Sequence, residues 1–285
     1  MTDVATVAAY ALREAVRRRI FHVVLVLTAA YLGLYWLGVD TAFSGLDEFE
    51  PVQPLPVDEQ TLAGATLFGL SMFGTLFLGA VLAAFLTLGA VRGDAETGLL
   101  QPVVARPVGR TAFLVARFLA AAVVCVPYVL VVYFLAALIT RSVSGWTPDQ
   151  LVVPGLELAA GVALIAALAL LGSVALSTVA NGIAIFMVFG AGLVAGLLGQ
   201  IGEALDSERL ESVGRVASWA VPFEALYQDG LHRITAETSG VTGLILSLGP
   251  FGGAQVGGPF LPLWTAGYLV AVLLVAIAVF RRKDL

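Results

Sequence analysis

An uncharged stretch of 45 residues, 158–202, constrains the fold of this chain more than any other feature. As a single helix it would be roughly 67 Å long, at 1.5 Å per residue, which is more than twice the thickness of the hydrocarbon core of a membrane. The stretch must therefore break, and its strongest turn signal is the pair Asn181-Gly182, which suits a helix C-terminus followed by a reversal. We predict two membrane-spanning helices from it, at about residues 154–179 and 183–201.

Four more apolar segments are long enough to cross a membrane, since a helix needs about 20 apolar residues to span the hydrocarbon core. They lie at about residues 20–39, 60–91, 113–140 and 263–280. The composition agrees, because 59% of the residues are hydrophobic and only 12% are charged, unlike a water-soluble chain. The sequence therefore predicts an all-α integral membrane protein in which residues 1–285 form a single transmembrane domain of six transmembrane helices.

The distribution of charge predicts the orientation, because Lys and Arg accumulate on the cytoplasmic side of a membrane. With both termini and residues 92–117 placed in the cytoplasm, 11 of the 15 basic residues lie inside, and the outer segments hold 15 of the 20 acidic residues. We therefore expect both termini to be cytoplasmic. We also expect a multi-pass protein of the cytoplasmic (inner) membrane of a prokaryote.

Several function classes are excluded by residues that the chain lacks. One cysteine and two distant histidines, His22 and His232, leave almost no material for a metal site. The only lysine, Lys283, does not stand in the Gly-Lys-Ser/Thr sequence of a phosphate-binding loop. The net charge of −5 disfavours nucleic acid. We therefore expect no metal, no cofactor of its own, no ATPase or other enzyme activity, and no nucleic-acid partner.

Residues 1–19 have the 3.6-residue periodicity of an amphipathic helix. We predict an interfacial helix on the inner membrane surface, in contact with membrane lipid. Its basic residues are Arg13, Arg17, Arg18 and Arg19. Two interpretations remain open, a helix that touches a cytoplasmic partner and a basic flank that only sets the topology.

The cytoplasmic segment 92–110 contains more than a topological signal. Acidic residues, apolar residues and two prolines stand close together in it, and the mixture suits a short helix that docks onto a partner. A solvated basic loop is the alternative, and physical reasoning on the residues alone favours neither. The residues concerned are Arg92, Asp94, Glu96, Leu99, Leu100, Pro102, Val103, Val104, Arg106, Pro107 and Arg110.

This segment resembles the cytoplasmic loop of ATP-binding-cassette (ABC) exporter permeases of the six-helix (type V) class. In that loop a glutamate is followed by Gly/Thr, a leucine-rich patch and an Arg-Pro-small-small-Arg sequence. The matching residues here are Glu96, Thr97, Gly98, Leu99, Leu100, Arg106, Pro107 and Arg110. The resemblance extends over the whole chain in outline, from the basic amphipathic N-terminus to the C-terminal Phe-Arg-Arg-Lys-Asp-Leu.

The resemblance implies a set of partners. Two permease subunits, a second copy or a relative, would form a twelve-helix unit, and each would be held by a separate ATP-binding ABC subunit that carries ATP and Mg. The segment 92–110 would be the coupling loop to that subunit. The residues implied in coupling are Arg92, Asp94, Glu96, Thr97, Gly98, Leu99, Leu100, Arg106, Pro107 and Arg110.

The resemblance also implies a function, the export of a lipophilic or amphipathic compound. Two alternatives stay open. One is an ABC permease that does mechanical or assembly work on an extracytoplasmic partner protein, and the other is an ATP-independent carrier.

The outer segment between spans five and six, residues 203–262, is too long for a simple connector. Similar permeases have outer helices here that cap the translocation path. The residues that carry this resemblance are Trp219, Pro222, Phe223, Glu224 and Tyr227. A mobile acidic loop is the alternative.

Three further features of the predicted spans bear on packing and function. Gly192 and Gly196 form one Gly-xxx-Gly pair, which favours a helix contact within the bundle over a dimer interface. Glu157 is expected at the outer edge of span four, where its carboxylate can reach water. No ionisable side chain is placed in the middle of a predicted span, which argues against proton coupling. The substrate is not predicted.

Overall fold

The computed structural model of the chain describes residues 19–47, 58–88, 109–248 and 256–282. All regular secondary structure in these ranges is helical. The helices are α1 (Arg19–Asp47), α2 (Glu59–Thr87), α3 (Arg110–Ser144), α4 (Val152–Ala175), α5 (Thr178–Ala204), α6 (Glu208–Ala220), α7 (Pro222–Arg233), α8 (Gly240–Leu248) and α9 (Leu261–Arg282). Six of them, α1 to α5 and α9, are long and apolar enough to cross a membrane. The predicted all-α fold with six spans is confirmed.

The bundle is built around α4 and α2. In their most apolar windows 72% and 67% of the residues are buried, against 22% in both α1 and α9. Large apolar side chains on the peripheral helices face outward, as lipid-exposed helices of a membrane protein require. The helices that precede and follow the segment 92–110 are α2, which is central, and α3, which packs against both α2 and α4.

Contacts between helix ends define the two ends of the bundle. At one end the side-chain amide of Gln60 donates to the backbone carbonyl oxygen of Ser144 over 2.5 Å. At the other end the rings of Phe113 and Phe280 lie 6.2 Å apart. We call the first the outer end and the second the inner end, following the charge distribution of the sequence.

Local sequence explains where the spans begin and end. Asp58 caps α2, because its carboxylate accepts from the backbone N–H and the hydroxyl of Thr61. Gly145 ends α3 in the left-handed conformation, at a φ of 70°, which glycine adopts without a steric cost. Pro127 lies inside α3.

The break in the long uncharged stretch is at Leu176-Ser177, so the predicted turn at Asn181-Gly182 is wrong. Leu176 is extended, with φ −107° and ψ 160°, and a two-residue connection suffices to reverse the chain. Asn181 lies within the first turns of α5, where its side-chain amide donates to the backbone carbonyl oxygen of Ala169 over 2.8 Å. The asparagine therefore joins α4 to α5 near the turn instead of forming it.

Candidate functional site

The outer segment folds back into the bundle as a helical hairpin of α6 and α7, which we call the outer hairpin (residues 208–233). Helix α6 runs antiparallel along α5 at very short distance. A Cβ atom on Gly214 would lie 2.5 Å from the backbone nitrogen of Gly199, and one on Gly202 would lie 2.5 Å from the backbone nitrogen of Glu211. Glycines on both helices thus permit contact of backbone with backbone.

The turn of the outer hairpin lies deep between the spans. Phe223, at the start of α7, packs on Gly192 of α5 and on Gly161 of α4. Gly192 stands ten residues before Gly202, so the turn is roughly 15 Å below the outer end of α5 at 1.5 Å per residue. Helix α7 then returns towards the outer end between α2, α4 and α5. The hairpin enters the bundle and leaves it on the same side.

Aromatic rings fill the space around the turn. The ring of Phe223 stacks on that of Phe189, with centroids 5.4 Å apart and planes at 11°. Phe77 of α2 lies 6.0 Å from Phe189, and Phe73 lies 6.4 Å from Tyr227. The outer half of the space between α2, α5 and α7 is therefore closed by apolar side chains.

One carboxyl group is buried beside these rings. Glu224 is 1% exposed, and its Oε1 accepts from Nε2 of Gln228 over 2.9 Å. Gln228 in turn accepts from Nε2 of Gln200 over 3.2 Å. In the described part of the chain Oε2 of Glu224 has no hydrogen-bond partner. Burial raises the pKa of Glu224 to about 7, although the hydrogen bond from Gln228 acts in the opposite direction.

A second cluster of polar side chains lies at the outer end of the hairpin. Nε of Arg233 donates to Oε1 of Glu157 over 3.1 Å and to Oδ2 of Asp229 over 2.8 Å. Both acids are buried, so the expectation that Glu157 reaches water is wrong. Oδ1 of Asp229 accepts from the backbone N–H of Gly257 over 2.8 Å. One guanidinium thus joins α4 to α7.

The hairpin is also fixed to the loop that follows α3. The backbone N–H of Asp149 donates to the carbonyl oxygen of Ile234 over 3.2 Å. The carboxylate of Asp149 accepts from the backbone N–H of Glu237 over 2.8 Å. These two hydrogen bonds of Asp149 therefore hold the C-terminal end of α7 against the loop between α3 and α4.

The structure brings together the five residues singled out in the outer segment. Trp219 lies at the end of α6, where its carbonyl oxygen accepts from Nε1 of Trp264 over 3.0 Å. Pro222 is the first residue of α7, and Phe223, Glu224 and Tyr227 lie on the buried part of the same helix. They form part of an ordered hairpin, and the alternative of a mobile loop does not describe these residues.

The remaining site residues fall largely outside the described ranges. Arg110 and Arg19 are the first residues of α3 and α1. The other members of the two predicted sets lie in segments that the structure does not describe. They are Arg13, Arg17, Arg18, Arg92, Asp94, Glu96, Thr97, Gly98, Leu99, Leu100, Arg106 and Pro107.

Several polar residues of the hairpin site did not emerge from the sequence. Gln200 and Gln228 carry no charge and are far apart in the chain, so no pattern connects them. Asp229 and Arg233 have the spacing of a helical ion pair, which was a usable signal. Glu224 is the charged group between the spans that the sequence did not place there. Within the described ranges no group of three or more His, Cys, Asp and Glu side chains is arranged to hold a metal ion.

The Gly-xxx-Gly pair has a defined partner. Gly192 contacts Phe223, and Gly196 contacts the carboxyl group of Glu224 and the amide of Gln228. Both glycines therefore pack against α7 of the same chain. The predicted helix contact within the bundle is of this kind.

Comparison with known proteins gives the family. A search of curated proteins by sequence gave no match. A family model described as "ABC-2 family transporter protein" matches residues 5–285, which is nearly the whole chain and includes every helix described above. The chain therefore belongs to the ABC-2 transporter family, as a multi-pass membrane permease of the ABC type.

Proposed function

We propose that this permease exports a lipophilic or amphipathic compound with energy from ATP hydrolysed by a separate ATP-binding subunit. The observation that carries the proposal is the family match over residues 5–285. The chain itself has no phosphate-binding loop, so its energy must come from a partner. ATP and Mg would be bound on that partner.

The arrangement of α2 and α3 supports coupling through the segment 92–110. This segment connects the inner ends of two packed helices, one of which is a central helix of the bundle. A force on the segment would therefore act first on buried helices and not on the periphery. Because packed helices move as rigid bodies, a partner that closes on ATP could tilt α2 against the rest of the bundle.

The outer hairpin supports a pathway that opens outward. Its Phe223 stacks on Phe189 of α5 and packs against α4, so a compound leaving on that side must displace it. A pathway lined by such side chains suits an apolar or amphipathic compound. The outward direction of transport is inferred from the family resemblance alone.

Peripheral helices leave room for the second permease subunit, a copy or a relative. On α5 the apolar side chains of Val179, Ile183, Met187 and Val194 are more than half exposed. Such faces are covered either by lipid or by another transmembrane subunit. We place the assembly in the cytoplasmic membrane of a prokaryote.

The test is purification of the chain with the proteins encoded beside it, followed by transport in inside-out membrane vesicles. We expect an ATPase with a phosphate-binding loop to co-purify. ATP should drive uptake of a fluorescent amphipathic dye, and Glu96→Ala or Arg106→Ala should abolish that uptake. Arg215→Ala, which removes a charge from an exposed position of α6, is the matched control and should leave uptake unchanged.

Two results would contradict the proposal. One is purification without an ATPase, and the other is unchanged uptake in both loop variants. A stable extracytoplasmic protein on the hairpin, with no dye uptake, would instead favour mechanical work on a partner. That alternative has less support, because α7 is buried in the bundle.

A further inference from the structure

The surroundings of the Glu224 carboxyl group favour its neutral, protonated form. Gly196 lies directly against Oε1, and the side chain of Gln228 lies on the same oxygen. Oε2 is buried and has no hydrogen-bond partner among the described residues. A buried carboxylate without a cation or a full set of donors costs several kcal/mol, and its protonated form costs much less.

The charged groups around Glu224 do not supply a cation. On α4, Glu157 is paired with Arg233 of α7, which also holds Asp229. On α6, Glu211 and Arg215 form a separate exposed pair.

Among the described residues, the other groups near Glu224 are uncharged. On α5 Gly196 lies beside it, and Gln200 is joined to it through Gln228. Its titratable neighbour on α7 is Tyr227, which packs on Phe73 of α2, and Tyr268 of α9 packs near Ala225 and Leu226.

Polar side chains next to Glu224 lead from its carboxyl group towards the outer end of the bundle. Gln228 and Gln200 continue from Glu224 towards the outer end, and Gln200 stands two residues before Gly202, the last residue of the span. Separation of α7 from α5 would open this row of polar groups to water. The carboxyl group would then lie in a solvent where its ionised form is stable.

We infer that the outer hairpin is a proton-dependent gate, closed when Glu224 is protonated and opened as this carboxyl group gives its proton to water on the outer side. In opening, the O–H bond of the acid breaks, the carboxylate keeps the electron pair and water accepts the proton. In closing, the carboxylate takes a proton back from water. The inference deepens the proposed function and rests on it for the sidedness of the hairpin. Outward opening should therefore be easier in an alkaline medium and harder in an acidic one.

The size of the effect follows from the two environments of the acid. With a pKa of about 7 in the closed hairpin and its ordinary value of 4.5 in water, the opening equilibrium rises about tenfold between pH 6 and pH 8. A glutamine at this position keeps the shape of the protonated acid and cannot ionise. In that variant the opening equilibrium should be independent of pH.

The experiment measures thiol accessibility of the full chain, produced with its neighbouring subunits in membranes. Cys125 is first replaced by alanine, and Ser218→Cys then places a thiol on the buried face of α6. Ser212→Cys, on the exposed face of the same helix, corrects for the effect of pH on the reaction itself. A charged methanethiosulfonate reagent reports the ratio of the two rates at pH 6 and pH 8.

We expect this ratio to rise about tenfold with Glu224 present and to stay constant with Glu224→Gln. A constant ratio in both chains, or the same rise in both, would overturn the gate. Hydrogen–deuterium exchange of residues 208–233, in the unsubstituted chain and in Glu224→Gln, makes the same comparison without a new cysteine. The same two outcomes decide it.

The orientation of the chain in the membrane is tested with the exposed thiol of Ser212→Cys alone. In intact cells Ser212→Cys should react with the impermeant reagent. If it does not, the orientation assumed in the proposed function is wrong, whereas the ratio measured in open membrane fragments still decides the gate.

Discussion

Gly196 of α5 lies directly against the carboxyl group of Glu224 of α7, and no side chain at that position of α5 separates the two helices. The contact brings the buried acid, the turn of the outer hairpin and the fifth span into one packed unit. A methyl group at this position would overlap the carboxyl group of Glu224.

Gly196→Ala should displace the side chains of Glu224 and Gln228 from their packed positions, because the new Cβ would collide with Oε1 of Glu224 and lie 2.9 Å from Nε2 of Gln228. Overpacking of this kind costs about 1–3 kcal/mol, so we expect a lower melting temperature of the purified protein in detergent. The matched control is Gly190→Ala in the same helix, since a Cβ there meets nothing within 4 Å. Equal melting temperatures of the two variants would contradict the packing described here.

The stability of the folded chain should fall as the pH rises through the range in which Glu224 ionises. Its pKa is raised to about 7 in the folded state from an ordinary value of 4.5, so its contribution to stability is fully present below pH 4.5 and is lost between pH 4.5 and pH 7. The loss is about 3 kcal/mol. We expect Glu224→Gln to remove this part of the pH dependence when unfolding in detergent is followed from pH 4.5 to pH 8. An unchanged pH dependence would show that Glu224 is not buried as described.

Arg233→Gln should destabilise the protein strongly, because it leaves the buried acids Glu157 and Asp229 without their cation. Removal of one partner from a fully buried ion pair costs about 3–5 kcal/mol, and because the Arg233 side chain is 30% exposed we expect a loss at or below the lower end of that range. Arg215→Gln provides the comparison, since Arg215 pairs with Glu211 at an exposed site where such a pair contributes about 0–1 kcal/mol. Chemical unfolding of both variants measures the difference, and similar losses would argue against the buried network.

Asn181→Ala should weaken the connection between α4 and α5. The substitution removes the hydrogen bond from the side-chain amide to the carbonyl oxygen of Ala169, and a hydrogen bond of this kind contributes about 0.5–1.5 kcal/mol. Val179→Ala, at an exposed position of the first turn of α5, should have little effect on the melting temperature. If the control variant had the lower melting temperature of the two, the contact between Asn181 and α4 described here would be contradicted.

The spans were predictable because their signal is the absence of charge over lengths fixed by the bilayer. Five such stretches are visible, one of them long enough for two spans, and the structure has six helices of that kind. The position of the turn between α4 and α5 was not predictable by the same means. Asn181 and Gly182 have the residue types of a turn, but tertiary contacts of the asparagine with Ala169 account for its presence.

The hairpin site was only partly predictable. Trp219, Pro222, Phe223, Glu224 and Tyr227 were found through the resemblance, whereas the burial of the last four between the spans was not. Helices α6 and α7 are short and carry charges, so hydropathy places them outside the membrane. Their depth depends on glycines of α5 and on pairing of Arg233 with a residue 76 positions earlier, which a single sequence does not reveal.

The central claim is that residues 92–110 face the cytoplasm and hold the ATP-binding subunit. The most direct measurement places a photo-activated cross-linking amino acid at Leu99 in cells that produce the neighbouring proteins, with Leu151, exposed before α4 at the outer end, as the control position. We predict a covalent adduct between position 99 and an ATPase that has a phosphate-binding loop, and no such adduct from position 151. An ATPase adduct from position 151 and none from position 99 would contradict the claim.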